Sequence, residues 1–344
     1  MATRLADIAA QAGVSEATVS RVLNGRPGVS PGTRQAVLGA LDVLGYDRPP
    51  RLRQQRAGLI GLILPELTNP VFPVFAQTLE SALVMSGYTA VLCTQTPGGV
   101  REDDYTELLL ERDVAGIIVV SGMHADSTAD LGRYKRLTDQ GLPLVLVNGY
   151  RDGIDAPFVS NDDVASVEMA VEHLVSLGHT RIGLAVGQAR FVPSIRKAEG
   201  FARAVKALLG ETEPERLIAT SLFTLEGGQA AAAQLLDRGC TAICCGSDIM
   251  AIGAIRAVRQ RGLRVPEDVS VVGFDDSPLI PYLDPALTTI RQPVREMAIA
   301  AAGQLLEEIG GNRVPRTELL YRPELVVRRS TSRAPSAQRG REHG

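Results

Sequence analysis

Two rhythms of apolar residues divide the chain. Over the first fifty positions the spacing is helical. Leu5, Ile8 and Ala9 fall at i, i+3 and i+4, and Gly13 breaks that pattern. Ser15 is placed to cap a second helix from Glu16 to Leu23, whose inward face is Val19, Val22 and Leu23, and Asn24-Gly25 ends it. A third helix after Ser30-Pro31 would bury Val37, Leu38, Leu41 and Leu44 and stop at Gly45-Tyr46. From Gly58 onward, short apolar runs alternate with helix-length amphipathic stretches: Leu59 to Leu64, Thr89 to Thr94, Gly116 to Ser121, Leu144 to Asn148, Arg181 to Val186, Ile218 to Phe223, Ala242 to Gly246 and Val269 to Asp275. Such alternation predicts an α/β body with parallel sheets, in which ligands sit in a crevice at the carboxyl ends of the strands.

Composition narrows the class. At 344 residues, 45% hydrophobic and 22% charged, the chain is globular and long enough for two or three domains. No apolar run approaches the roughly 18 to 20 residues of a membrane span, and the start has no basic segment followed by an apolar one, so the expectation is a cytoplasmic protein with no membrane partner. Cys93, Cys240, Cys244 and Cys245 lack Cys-x-x-Cys spacing and read as small core residues, so neither a disulfide nor a metal site is expected. No Gly-x-Ser-x-Gly, P-loop, Gly-x-Gly-x-x-Gly or His-Glu-x-x-His occurs. An enzyme and a cofactor are therefore not expected.

Charge is segregated. Residues 1 to 56 hold eight Arg and no Lys against Asp7, Glu16, Asp42 and Asp47, a net +4, so the rest carries −7 of the chain's −3. A basic trihelical module with a Gly turn between its first two helices matches the helix-turn-helix arrangement, whose second helix lies in the DNA major groove. The outward positions of that helix are Ser15, Glu16, Ala17, Ser20 and Arg21. Arg21 can fork onto guanine, Glu16 can accept from a cytosine amine and Ala17 can touch a thymine methyl. Ser15 also reads as a cap, Glu16 as a helix-dipole partner and Ala17 as clearance for the backbone. Thr3, Thr18, Asn24, Ser30, Thr33 and Arg34 suit phosphate contacts.

Leu5-Ala-Asp-Ile-Ala, Ala-Gly-Val-Ser and Thr-Val-Ser-Arg-Val-Leu-Asn, all within residues 5 to 24, resemble the headpiece signature of the lac repressor (LacI/GalR) family. The body is similar to that family as well, in Thr68-Asn-Pro-Val-Phe, Asn161-Asp-Asp, Glu199-Gly-Phe, Ser247-Asp-Ile-Met-Ala-Ile-Gly-Ala, Val265-Pro-Glu-Asp-Val-Ser-Val-Val-Gly-Phe-Asp-Asp and Leu287-Thr-Thr-Ile-Arg-Gln-Pro. The resemblance implies an all-α helix-turn-helix headpiece (1–46), a hinge linker (47–57) and a two-lobed periplasmic-binding-protein-like body (58–328). The N-subdomain would take 58 to 160 and 291 to 322, and the C-subdomain 161 to 290 and 323 to 328. Residues 329–344 lack apolar periodicity and are expected to be a disordered tail, with no heptad to build a tetramer. In the family the hinge folds on DNA and a Leu wedges into the minor groove. Leu52 falls on that position counting back from Ile60-Gly61, but counting forward from Gly45-Tyr46 the segment is about three residues short and carries Pro49-Pro50.

The implied function is a dimeric repressor of sugar-utilisation genes that leaves a pseudo-palindromic operator on the double-stranded DNA of the nucleoid when a small sugar closes the cleft. Carried over by position, Asp275 takes two sugar hydroxyls, or else caps the turn after it. Phe223 stacks on the ring, Phe72 and Ser121 line the first subdomain, and Ser247 and Gln292 lie at a strand end and a crossover. Lys197 stands where the family has Arg, with Arg196 beside it, and Asn148 where Asp is frequent. Lys cannot make the bidentate fork, so the polar contact must differ. Gln95-Thr-Pro-Gly-Gly and Arg190-Phe-Val-Pro are similar to the maltose-responsive branch of actinobacteria, which also fits 33 Arg against three Lys. The rival classes are a transport-type sugar-binding protein, which needs a signal peptide and no headpiece, and an α/β sugar enzyme, which needs a catalytic base.

Overall fold

The computed structural model describes residues 5–24, 26, 28–46, 57–95 and 98–335, in two compact units. The first is helical: α1 (Leu5–Ala12), α2 (Glu16–Leu23) and α3 (Pro31–Val43). Ser15 and Ser30 are the N-caps of α2 and α3, each accepting a hydrogen bond from the backbone N–H three residues on, from Thr18 at 3.2 Å and Thr33 at 3.1 Å. A side-chain oxygen there satisfies a donor that the helix itself cannot. Ile8, Ala9, Val19, Val22, Val37, Ala40 and Leu41 form the core. The apolar stripe of α3 thus differs from expectation: Ala40 is buried and Leu44, the C-cap, is exposed, because α3 ends at Val43 and Leu44 falls past its last turn.

The second unit carries two six-stranded sheets. Strands β1 (Gly58–Leu64), β2 (Tyr88–Thr94), β3 (Gly116–Val120), β4 (Leu144–Val147), β5 (Phe158–Asn161) and β11 (Glu318–Tyr321) make the first, in the order β11-β5-β4-β3-β1-β2. Strands β6 (Ile182–Val186), β7 (Ile218–Thr220), β8 (Ala242–Cys245), β9 (Ser270–Asp275), β10 (Thr288–Arg291) and β12 (Glu324–Val326) make the second, in the order β12-β10-β9-β8-β6-β7. The paired registers are parallel except β10 with β12. Unbroken burial of β3, β4, β6 and β8 is what a parallel sheet covered on both faces demands.

Helices α4 (Val71–Met85), α5 (Glu102–Glu111), α6 (Gly132–Asp139) and α11 (Val294–Ile309) belong to the first lobe, and α7 (Asp163–Ser176), α8 (Val192–Leu209), α9 (Leu225–Asp237) and α10 (Asp248–Gln260) to the second. The chain crosses between lobes after Asn161, after Arg291 and between Tyr321 and Glu324. Strands β5, β10 and β11 mix polar with apolar residues over four positions and so show no apolar run in the sequence, unlike the equally short β4 and β8.

The tail expectation needs correction over residues 329–335. Ser330 is fully buried, accepts from Val271 N–H at 2.8 Å through its carbonyl and donates its hydroxyl to the Val271 carbonyl at 2.6 Å. Arg329 N–H donates to Ala286 O and Ala334 N–H to Leu177 O, both at 2.9 Å. His173 and His179 hold this strap through Thr331 Oγ1 at 3.0 Å and Ser332 O at 3.1 Å. A polar segment without apolar periodicity can still be fixed when its backbone groups and hydroxyls find partners. All four cysteines are free and buried, and burial pushes the Cys244 thiol up to about 12.

Candidate functional site

On the helical unit, Ser15, Glu16, Ala17, Arg21 and Asn24 are exposed and Thr18 and Ser20 half-buried, so the outward face expected of α2 is the observed one. Glu16, Ala17, Ser20 and Arg21, at i, i+1, i+4 and i+5, share it. Asn24 folds back, donating to Ser20 O at 2.8 Å. Ser30 is exposed, and Thr33 and Arg34 are half-buried at the start of α3. Thr3, Leu52 and Pro49-Pro50 lie outside the described residues.

On the α/β unit a cavity of about 480 Å³ opens where the carboxyl ends of the two sheets face each other, a volume ordinary for a small-ligand site. Eight of the nine expected ligand residues line it: Phe72 on α4, Ser121 after β3, Asn148 after β4, Lys197 on α8, Phe223 after β7, Ser247 after β8, Asp275 at the end of β9 and Gln292 after β10. Arg196 is the exception and is corrected. Its guanidinium is forked onto Glu318 of β11, at 2.7 and 2.9 Å, a contact between the lobes rather than with the cavity. Neighbours on a helix point about 100° apart, so only one of Arg196 and Lys197 can face inward.

Three strand ends hold strained backbone. Ser121, Asn148 and Asp275 have φ of +47°, +63° and +120°, values costing about 1 kcal/mol or more for residues other than Gly. The surroundings enforce them. Asn148 Nδ2 donates to Ser121 Oγ at 3.2 Å, and the Asn148 carbonyl accepts from His124 Nε2 at 2.6 Å. His124 is fully buried, and burial lowers its affinity for a proton, which leaves a neutral ring with Nε2–H as donor. Its backbone N–H donates to the Tyr134 hydroxyl at 2.8 Å, and that hydroxyl donates to Glu102, which also accepts from Met123 N–H at 2.8 Å.

The second lobe supplies charge. Lys197 is buried, ion-paired to Asp163, and its ammonium stands 3.8 Å from the centroid of Phe274. Asp275 Oδ1 accepts from Gln292 Nε2 at 2.6 Å, while Asp275 Oδ2 is buried and has no partner. Burial, then repulsion from Asp248, holds the Asp275 carboxyl well above the usual carboxylate range, against the opposing pull of Lys197. Asp248, at the first position of α10, accepts from Ser277 N–H at 2.7 Å and from Thr289 Oγ1 at 2.6 Å and so braces the turn after Asp275. Burial raises its pKa to about 7. Ser247 caps the same helix while facing the cavity.

Sequence reasoning had passed over Asn161, Asp163 and Phe274 as cavity residues, and the His124–Tyr134–Glu102 chain altogether. Asn161-Asp-Asp was legible as a motif, but nothing in its spacing told which of its members faced a ligand.

Residues 4–49 match the model of bacterial regulatory proteins of the lacI family, and residues 171–331 that of a periplasmic binding protein-like domain. The chain is 64% identical to the HTH-type transcriptional regulator MalR of Streptomyces coelicolor, over 99% of this chain and all of the other. It is 32% identical to the HTH-type transcriptional regulator DegA of Bacillus subtilis, over 96% and 99%. Among solved structures it is similar to a transcriptional regulator CelR–cellobiose complex, with TM-score 0.71 and 31% identity over 95% of this chain and 99% of the other. It is also similar to a lac repressor dimer bound to operator and the anti-inducer ONPF, with TM-score 0.68 and 28% identity over 96% and 99%. With a helix-turn-helix unit at one end, a two-lobed α/β unit around a cavity, and relatives matched along their whole length, the chain belongs to the LacI family of bacterial transcriptional regulators.

Proposed function

We propose that this regulator is a cytoplasmic homodimeric repressor of sugar-utilisation genes, and that maltose or a related glucoside is the effector that releases it from its operator. The observation that carries this reading is the cavity-lining carboxylate of Asp275, one oxygen held by Gln292 and the other buried without a partner, in a cavity that Phe223 also lines. An unpartnered carboxyl oxygen with an aromatic face among its neighbours suits a sugar ring, whose hydroxyls both donate and accept. The 64% identity with the Streptomyces regulator MalR, along the whole of that chain, supports the choice of effector. In this reading Arg21, Glu16 and Ala17 contact base edges, Ser15 and Ser20 flank them, and Thr3, Thr18, Asn24, Ser30, Thr33 and Arg34 hold phosphates. Residues 47–57 form the hinge, with Leu52 in the minor groove. The function is binding, without a reaction.

The test is a panel of mono- and disaccharides read by calorimetry, repeated with operator DNA. A sugar shifts the operator equilibrium only by its differential affinity for the two states. Maltose is expected to bind and to weaken operator binding. Binding by another sugar but not by maltose would overturn the effector assignment, and unchanged operator affinity with every sugar that binds would overturn the switch.

A further inference from the structure

We infer that Asn161 is a direct effector contact, a hydrogen-bond acceptor for one sugar hydroxyl at the point where the chain crosses from the first lobe to the second. This rests on the cavity being the sugar site. Asn161 ends β5, is 2% exposed and lines the cavity. Its amide has only one orientation that satisfies its neighbours. The Ser166 hydroxyl donates to the Asp162 carbonyl at 2.7 Å, so its proton is committed and it can only accept. Asn161 Nδ2 donates to it at 2.8 Å and to the carboxylate Asp163 Oδ1 at 3.4 Å. Rotating the amide by half a turn would set an oxygen against two acceptors. Oδ1 therefore cannot be the atom facing Ser166 and Asp163, and it is left buried with no partner.

A buried amide oxygen in that condition is costly unless something completes it. Asp275 Oδ2 is likewise buried without a partner, so the cavity carries two unpartnered oxygens. A polyol supplies two or more hydroxyl donors, whereas an apolar or purely accepting ligand supplies none. Asp275 belongs to the second sheet and Asn161 to the first, at its exit into α7. One sugar bonded to both is held by each lobe.

Asn161→Leu removes the acceptor while keeping a branched side chain of four heavy atoms, and Asn161→Ala removes it while leaving space for water. The full chain and both variants are titrated by calorimetry with maltose and with the set of singly deoxygenated maltoses. Both variants are expected to bind maltose about tenfold more weakly and the operator as the parent does. One deoxy sugar, lacking the hydroxyl that Asn161 accepts, should bind parent and variants alike. If both variants bind maltose as tightly as the parent while Asp275→Asn loses binding, Asn161 is no contact and the inference falls, with the sugar reading of the cavity intact. Equal weakening toward every sugar, with no deoxy sugar spared, makes Asn161 a structural residue and also overturns it. A parent chain that binds none of these sugars overturns the sugar reading and this inference together.

Discussion

Phe223 lies against Gly187 so closely that a Cβ on the glycine would stand 1.9 Å from the ring's Cε2 and 2.2 Å from Cζ. Gly246, after the neighbouring strand, would bring a Cβ to 3.4 Å of the same ring. Two glycines at adjacent strand ends thus form the floor on which an aromatic cavity wall rests. Gly187→Ala should lift the ring into the cavity, and sugar affinity should fall at least tenfold while operator binding is retained, giving a repressor that does not respond. Adding Phe223→Leu should recover part of the lost affinity by relieving the clash. Calorimetry on the two variants and a gel shift decide it. Unchanged sugar affinity in Gly187→Ala would mean that the ring is free to move elsewhere.

The sequence carried the α/β alternation well because parallel strands buried on both faces read as plain apolar runs, and all eight runs became strands, the half-buried edge strands β2 and β7 among them. It carried the cavity through residues at strand ends, where position along the chain and position in the fold coincide. It failed where the deciding fact was angular or distant. Arg196 and Lys197 are adjacent in sequence, and only the phase of α8 sends one to Glu318 and the other to Asp163. Tyr134 and Glu102 are 32 residues apart on different helices, so their hydrogen bond has no local trace. Ser330, a polar residue in a polar segment, is buried because Val271 and Thr288 offer it hydrogen bonds.

The fork between Arg196 and Glu318 joins helix α8 of the second lobe to strand β11 of the first. Breaking it should favour separation of the lobes without touching the cavity. Glu318→Gln is expected to weaken sugar binding severalfold, by about 1 kcal/mol, mainly through faster dissociation. Raising the salt concentration should narrow the gap between parent and variant. Stopped-flow measurement of the dissociation rate checks this, and equal rates in the two proteins would show that the fork does not hold the lobes together.

On the helical unit, Arg21 is exposed on the same face of α2 as Ala17. A guanidinium there that forks onto guanine reads sequence, and one that meets a phosphate does not. Arg21→Ala should cost about 1 to 3 kcal/mol and relax discrimination at one base pair of each half-site. Binding to a library of operators varied one position at a time separates the two roles. A uniform loss across the library would assign Arg21 to the backbone.

Asp248 makes stability fall with rising pH over a range in which most proteins gain it. Its carboxyl titrates near 3.8 when unfolded and at about 7 when buried beneath the turn after Asp275. Between those values the folded chain holds a proton that the unfolded chain has lost, so raising the pH favours unfolding. One proton corresponds to a slope of up to about 1.4 kcal/mol per pH unit. The buried His124 and His179 and the half-buried His173 tilt the other way, because burial lowers their pKa and their protonation below about 6.5 opposes folding. The raw pH profile mixes these effects, and Asp275, raised in part by Asp248, tilts it the same way as Asp248, so the difference between the parent and Asp248→Asn reports the proton shared by this carboxyl pair. The asparagine can still accept from Ser277 N–H and meet Thr289 Oγ1, and it has no charge to bury. Urea unfolding from pH 5 to 8, above the range where the lowered carboxyl of Glu308 titrates, should show the parent losing stability relative to the variant up to about pH 7 and running parallel to it beyond. Parallel curves across the whole range would mean that Asp248 is ionised throughout, held so by its two hydrogen bonds.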